Sequence, residues 1–201
     1  MKLSLMRPAL VLALALGLAS CGGKAGFTIA GEVSGLKYTG LKLSTNGMTI
    51  AVEPPAASAT TVKFAFPDDI EYGEVYNVLI TQQPAHQTCG LDYTSTNTAG
   101  RLSTINVNVA CVLNSSSVAG TVKGLTGTGL QLTNGSTSGI ITVVPSTTGT
   151  DPAFSFANIP YNQAYGITVL TQPTGQVCSV SANGVGVMDD DGDQSVVVDC
   201  K

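Results

Sequence analysis

The chain carries one pattern twice, 89 residues apart, and this internal repeat constrains the fold more than any other feature. Gly31-Glu-Val-Ser-Gly-Leu36 recurs as Gly120-Thr-Val-Lys-Gly-Leu125, and Leu41 and Leu43 recur as Leu130 and Leu132. Tyr72 and Tyr76 fall on Tyr161 and Tyr165, Gln83-Pro84 on Gln172-Pro173, and Gln87 on Gln176. Phe64 and Phe66 match Phe154 and Phe156 at an offset of 90, so one loop differs in length. Two copies of one unit must each close their own core. The expected organisation is a signal segment at 1–20, a tether at 21–26, a first repeat at 27–112, a linker at 113–116 and a second repeat at 117–201.

Within each copy the apolar period is two, which specifies strands. Tyr76, Val78 and Ile80 share a face, as do Tyr165, Ile167 and Val169. Ile105, Val107, Val109 and Cys111 form another inward set, repeated by Val196, Val198 and Cys200. Asn46-Gly47 and Asn134-Gly135 are turn signals between short strands. No part of the chain after the signal shows a helical period. The expected fold class is all-β: two tandem antiparallel β-sandwich domains of about seven short strands each. The polar linker implies few contacts across the boundary, with each repeat folding alone.

Cysteine spacing supports this division. Cys89 and Cys111 are 22 apart, and so are Cys178 and Cys200, which predicts one disulfide per repeat in an oxidising compartment. Each cysteine is in phase with the buried face of its strand. Metal binding by these thiols is the weaker reading: there is no C-x-x-C pair, and His86 is the only histidine.

The fifth cysteine lies elsewhere. Lys2 and Arg7 precede an apolar run from Pro8 to Leu18, too short to span a bilayer. The run ends in Leu18-Ala-Ser-Cys21. This segment resembles the signal of bacterial lipoproteins. The resemblance implies cleavage after Ser20, a diacylglyceryl thioether on Cys21 and acylation of the new amino terminus; two or three acyl chains anchor a protein stably where one does not. Gly22 follows the cysteine, where lipoproteins retained in the inner membrane resemble one another in carrying Asp. The implied location is the cell envelope, at the outer membrane, with Cys21 joining the chain to the lipid.

The repeat itself resembles tandem immunoglobulin-like or transthyretin-like sandwiches of bacterial envelope and surface proteins. It does so through G-x-V-x-G-L, G-L-x-L, F-x-F and, most plainly, Gln172-Pro-Thr-Gly-Gln-Val-Cys178. The first copy departs at Ala85-His86, where the second has Thr174-Gly175. Such repeats are mostly of unknown function, so the resemblance implies a fold rather than an activity.

Chemistry is sparse. A Ser-His-Asp or Cys-His device would need His86, which sits in a loop without a nucleophile motif and reads as solvated. Asp68, Asp69, Glu71 and Glu74 read as a polar turn rather than paired catalytic carboxylates. Gly124, Gly127 and Gly129 lack the helix and Lys-Ser/Thr of a phosphate loop. Asp189, Asp191 and Asp193 in Asp189-Asp-Asp-Gly-Asp193 are a weak Ca²⁺ candidate, since the spacing misses the EF pattern and the first copy has Gly100-Arg-Leu-Ser103 there. No catalytic residue, cofactor or firm metal site is expected.

Charged residues make up only 11% of the chain, against about 25% in ordinary domains. The net charge is −4 with no basic stripe, so nucleic acid is not an expected partner. The expected function is a non-catalytic structural or interaction module on the envelope. The alternative is a surface lipoprotein binding a glycan or partner protein, which the lack of Trp and the core phase of most Tyr and Phe disfavour.

Overall fold

In a computed structural model of the chain, the described residues are 26–56, 58–100, 103–135 and 139–201. The signal segment, the tether and Cys21 lie outside them. Among the described residues the first repeat has ten strands: β1 Gly26–Ser34, β2 Leu41–Thr45, β3 Met48–Val52, β4 Thr61–Ala65, β5 Ile70–Glu71, β6 Val75–Asn77, β7 Leu79–Gln82, β8 Gln87–Leu91, β9 Thr96–Thr98 and β10 Thr104–Leu113. The second has eight: β11 Ser115–Lys123, β12 Leu130–Asn134, β13 Ile140–Val143, β14 Ala153–Pro160, β15 Ala164–Thr171, β16 Cys178–Ala182, β17 Val185–Val187 and β18 Asp193–Cys200. Among the described residues the only helical turn is a 3₁₀ turn at Tyr93–Ser95.

Alternation produces these strands and aims them. In β10, Ile105, Val107, Val109 and Cys111 are buried while Asn106, Asn108 and Ala110 face out. In the first repeat, sheet β4-β1-β10-β8 packs its inner face on β3-β2-β7; in the second, β14-β11-β18-β16 packs on β13-β12-β15-β17. Two separate cores result, one around Ile29, Leu43, Phe66 and Val107, the other around Val118, Leu132, Phe156 and Val198. In each core the phenylalanine pair meets edge to face, with centroids 6.1 and 6.3 Å apart.

The strand counts exceed the expected seven because short pieces pair separately. The first repeat has two more than the second because two long strands are interrupted. β4 and β5 both pair with β1, doing the work that β14 does alone against β11. Pro67 stands between them, without an N–H to donate, where the second repeat has Ala157. The counterpart of β15 is likewise divided at Val78 into β6, which pairs with β9, and β7, which pairs with β2.

The sandwiches are antiparallel as expected, save for one pairing in each repeat. The first and last strands of each repeat run parallel, β1 beside β10 and β11 beside β18. Parallel neighbours need a long connection, and here the rest of the repeat supplies it. The shared Gly31 and Gly120 follow from this pairing: a Cβ on Gly31 would lie 1.8 Å from the Val107 carbonyl oxygen, and one on Gly120 2.0 Å from that of Val196. Only glycine lets the strands approach so closely.

The disulfides join Cys89 to Cys111 and Cys178 to Cys200, directly opposed in the β8–β10 and β16–β18 ladders. All four sulfur-bearing residues are buried. The Asn46-Gly47 pair forms the β2–β3 hairpin with both residues at positive φ. Asn134 does otherwise: it ends β12, is buried, and accepts a hydrogen bond from the Gly166 amide at 2.8 Å.

Candidate functional site at the junction between the repeats

The polar residues that define the repeat motif are committed to structure. Gln83 clamps the Cys89 backbone, its Oε1 accepting from the amide at 2.8 Å and its Nε2 donating to the carbonyl at 3.0 Å. Gln172 does the same for Cys178 at 2.7 and 3.0 Å. Gln87 accepts from the amides of Lys37 and Tyr38 and donates to the Gly35 carbonyl; Gln176 does so with Thr126, Gly127 and Gly124. Among the described residues no buried side-chain nitrogen or oxygen lacks a partner. Function therefore has to be sought where the copies differ.

The clearest difference is at His86. Its counterpart is Gly175, and the Gly127 position of the second copy holds Tyr38 in the first. The expected solvated loop histidine is instead half-buried between the repeats. Its ring stacks on Tyr161, with centroids 3.8 Å apart and planes 3° from parallel. Tyr38 meets both rings edge-on, at 5.1 Å from His86 and 5.7 Å from Tyr161. His86 Nδ1 lies 2.5 Å from Asp190 Oδ2.

The backbone closes around this cluster. β10 ends at Leu113 and β11 begins at Ser115, so the expected linker at 113–116 is mostly strand, with Asn114 alone between. The Asn114 amide donates to the His86 carbonyl at 2.9 Å, and the Tyr161 amide donates to the Asn114 carbonyl at 2.8 Å. Asn114 Nδ2 donates to Asp190 Oδ1 at 3.3 Å, and Ser116 Oγ to the Asp190 carbonyl at 2.5 Å. Contacts across the boundary are few, as expected, and they gather in this one cluster. A one-residue connection leaves the repeat ends facing each other, and aromatic rings fill the gap.

His86 with Asp190 has the outline of a base and its orienting carboxylate. Among the described residues, however, no serine, threonine or cysteine pairs with the ring, and Tyr161 covers one of its faces. Its φ of +57° is a left-handed conformation that glycine would adopt freely, and the contacts on both sides hold it there.

The acidic turn does not gather its carboxylates. Asp189 Oδ1 accepts from the amides of Asp191 and Gly192 at 3.1 and 2.7 Å. Asp193 accepts from Tyr165 Oη and from the amide of Ser195, the latter at 2.8 Å. Burial would raise the Asp193 carboxyl, but the hydrogen bonds from Ser195 and Tyr165 outweigh it and hold the group below its usual range. Burial, with the nearby Asp193 carboxylate, pushes the Tyr165 phenol up to about 12. Among the described residues no three His, Cys, Asp or Glu side chains converge as metal ligands. The first-copy acids also separate: Asp69 accepts from Thr28 Oγ1 at 2.6 Å, while Glu74 accepts from the Glu71 amide and Asn46 and is held below the usual carboxylate range by those bonds.

Sequence reasoning missed Tyr38, Tyr161 and Asp190 as a cluster with His86. The available signal was that Tyr38 and His86 stand where the second copy has Gly127 and Gly175; Tyr161, matched by Tyr72, and Asp190 gave none.

No family model matches the chain, and no curated protein matches it. It is similar to a single B repeat unit (B1) of the collagen-binding surface protein CNA of Staphylococcus aureus, at 14% identity and a TM-score of 0.30, covering 88% of this chain and 98% of that one. A two-repeat form (B1B2) of the same protein gives 12%, 0.36, 88% and 49%. The major pilin protein (T-13) of Streptococcus pyogenes gives 8%, 0.28, 89% and 95%.

Proposed function

We propose that this chain is a lipid-anchored bacterial envelope protein whose two β-modules act without catalysis, in a structural or interaction role, at the outer membrane. The observation that carries the reading is the use of the five cysteines: four are paired within the repeats, and the fifth, Cys21, ends a lipoprotein-type signal. The module reading is supported by the commitment of every shared motif glutamine to backbone clamps and of the one histidine to the junction. A rigid joint suits a module that holds a surface away from a membrane.

The test is fractionation of cells expressing the full chain. The wild type is expected in the outer membrane with an acylated amino-terminal cysteine detected by mass spectrometry. Cys21→Ala is expected to be soluble. Tight membrane association of Cys21→Ala, or an inner-membrane wild type, overturns the anchoring or the location respectively.

A further inference from the structure

We propose that the second repeat pairs edge to edge with a second copy of this chain, β14 lying antiparallel to its own counterpart. β14 ends the sheet order β14-β11-β18-β16, so among the described residues one of its sides has no strand beside it. The ladder shows which groups face that side. The Val122 amide donates to the Pro152 carbonyl at 2.9 Å, and the same register opposes Gly120 to Phe154 and Val118 to Phe156. Antiparallel pairs alternate, so Phe154 and Phe156 bond to β11, while Ala153, Ser155 and Ala157 turn their N–H and C=O groups away from it. These three residues are exposed, and the two phenylalanines are buried.

The first repeat is the internal control. Its edge strand β4 matches β14 at the offset of 90, with Lys63 where the second copy has Ala153 and Pro67 where it has Ala157. Lys63 is exposed on the edge, and Pro67 has no N–H to offer. A lysine and a proline are two of the devices that keep sheet edges from pairing, and β14 has neither at these positions. The difference extends beyond the strand. From Gly124 to Met188 the only charged residue is Asp151, whereas the matching stretch of the first copy, 35–99, carries nine.

The open run selects its occupant. Ala153-Phe-Ser-Phe-Ala157 reads the same in both directions. Antiparallel pairing about a two-fold axis through Ser155 therefore sets alanine against alanine, phenylalanine against phenylalanine and serine against serine. The small outward side chains let the backbones approach, and the phenylalanines of both copies stay on the inner face, so one sheet continues into the other. Asp151 and its copy stand at opposite ends of the ladder and do not repel. Such a contact is isologous and closes on itself. A bulge at Asn158, where φ is +60°, ends the flat run and limits the ladder to 153–157. The pairing names a partner for the interaction role proposed above; it rests on that role and not on the lipid at Cys21.

The test is sedimentation of the purified full chain in nonionic detergent, with cysteine cross-linking in the envelope beside it. The wild type is expected to form dimers that dissociate on dilution. Ala153→Lys, an exposed change to the residue type of the first copy, is expected to be monomeric at the same concentration and to keep its melting point. Ala157→Pro is a second, independent block. Hydrogen-bonded antiparallel partners have Cα atoms about 5.5 Å apart, inside the roughly 4.4–6.8 Å that a disulfide spans. Ser155→Cys should therefore give a disulfide-linked dimer on a non-reducing gel. The wild type should not, nor should Thr142→Cys, exposed on β13 at the edge of the facing sheet. A folded wild type that stays monomeric, dimers that persist in folded Ala153→Lys or Ala157→Pro, equal cross-linking by Thr142→Cys, or Ser155→Cys joined only to a different protein overturns the proposal. Fractionation separates it from the anchoring: Ala153→Lys stays in the membrane, and Cys21→Ala still dimerises.

Discussion

Replacing His86 should weaken both repeats, because the ring belongs to one and its partners to the other. The structure permits a magnitude. Offset aromatic stacking contributes about 0.5–1.5 kcal/mol beyond burial, and the His86–Tyr161 pair is close and parallel. The His86–Asp190 hydrogen bond must be discounted, since the two side chains are 33% and 40% exposed; such exposed contacts contribute about 0–1 kcal/mol. The junction side chains should therefore couple the repeats by about 1–2 kcal/mol. For a domain of this size each kcal/mol moves the melting midpoint by roughly 4–8 °C. The backbone adds a second expectation. Because His86 is left-handed, His86→Gly loses the ring but relaxes the chain, whereas His86→Ala loses the ring and keeps the strain, about 1 kcal/mol. His86→Ala should thus be the less stable of the two. The assay is calorimetry on a double-mutant cycle of His86→Gly with Tyr161→Ala. A coupling energy of about 1 kcal/mol or more is expected, against the few tenths typical of independent sites. Coupling indistinguishable from zero, with both single variants melting as wild type, would refute the reasoning and leave two beads on a bare joint.

Removing one disulfide by Cys178→Ala with Cys200→Ala should destabilise the second repeat by about 3 kcal/mol on the chain-entropy account of a loop of 22 residues, read as a lower urea midpoint; an unchanged midpoint would contradict it. Alkaline stability should follow Tyr165. Burial and Asp193 push its folded phenol from the ordinary 10.0 up to about 12, so its contribution is complete below pH 10 and disappears as pH rises toward 12. Tyr165→Phe should flatten the fall in stability across that window, and urea titrations at several alkaline pH values with the same slope as wild type would rule out the assignment.

Much of the fold is legible in the sequence because it arises from local periodicity. The alternation through Ile105, Val107, Val109 and Cys111 specifies a strand and its buried face without reference to any partner. The 89-residue offset specifies that this happens twice, and the equal cysteine spacing singles out the pairs that the structure joins. A strand pattern does not encode direction, however. The parallel β1–β10 and β11–β18 ladders follow from which edges meet once the whole repeat has folded. The shared glycines Gly31 and Gly120 are matched positions in the sequence, and their reason emerges only when the carbonyl of a strand far along the chain is placed against them. His86 and Asp190 are 104 residues apart, and no local rule brings an ordinary loop histidine to an acidic turn of the next repeat. β14 reads as one more alternating strand, and only its place at the end of a sheet turns Ser155 to an open side. Side-chain period is a property of neighbours in sequence, whereas junctions and open edges are properties of surfaces that form only after the cores have closed.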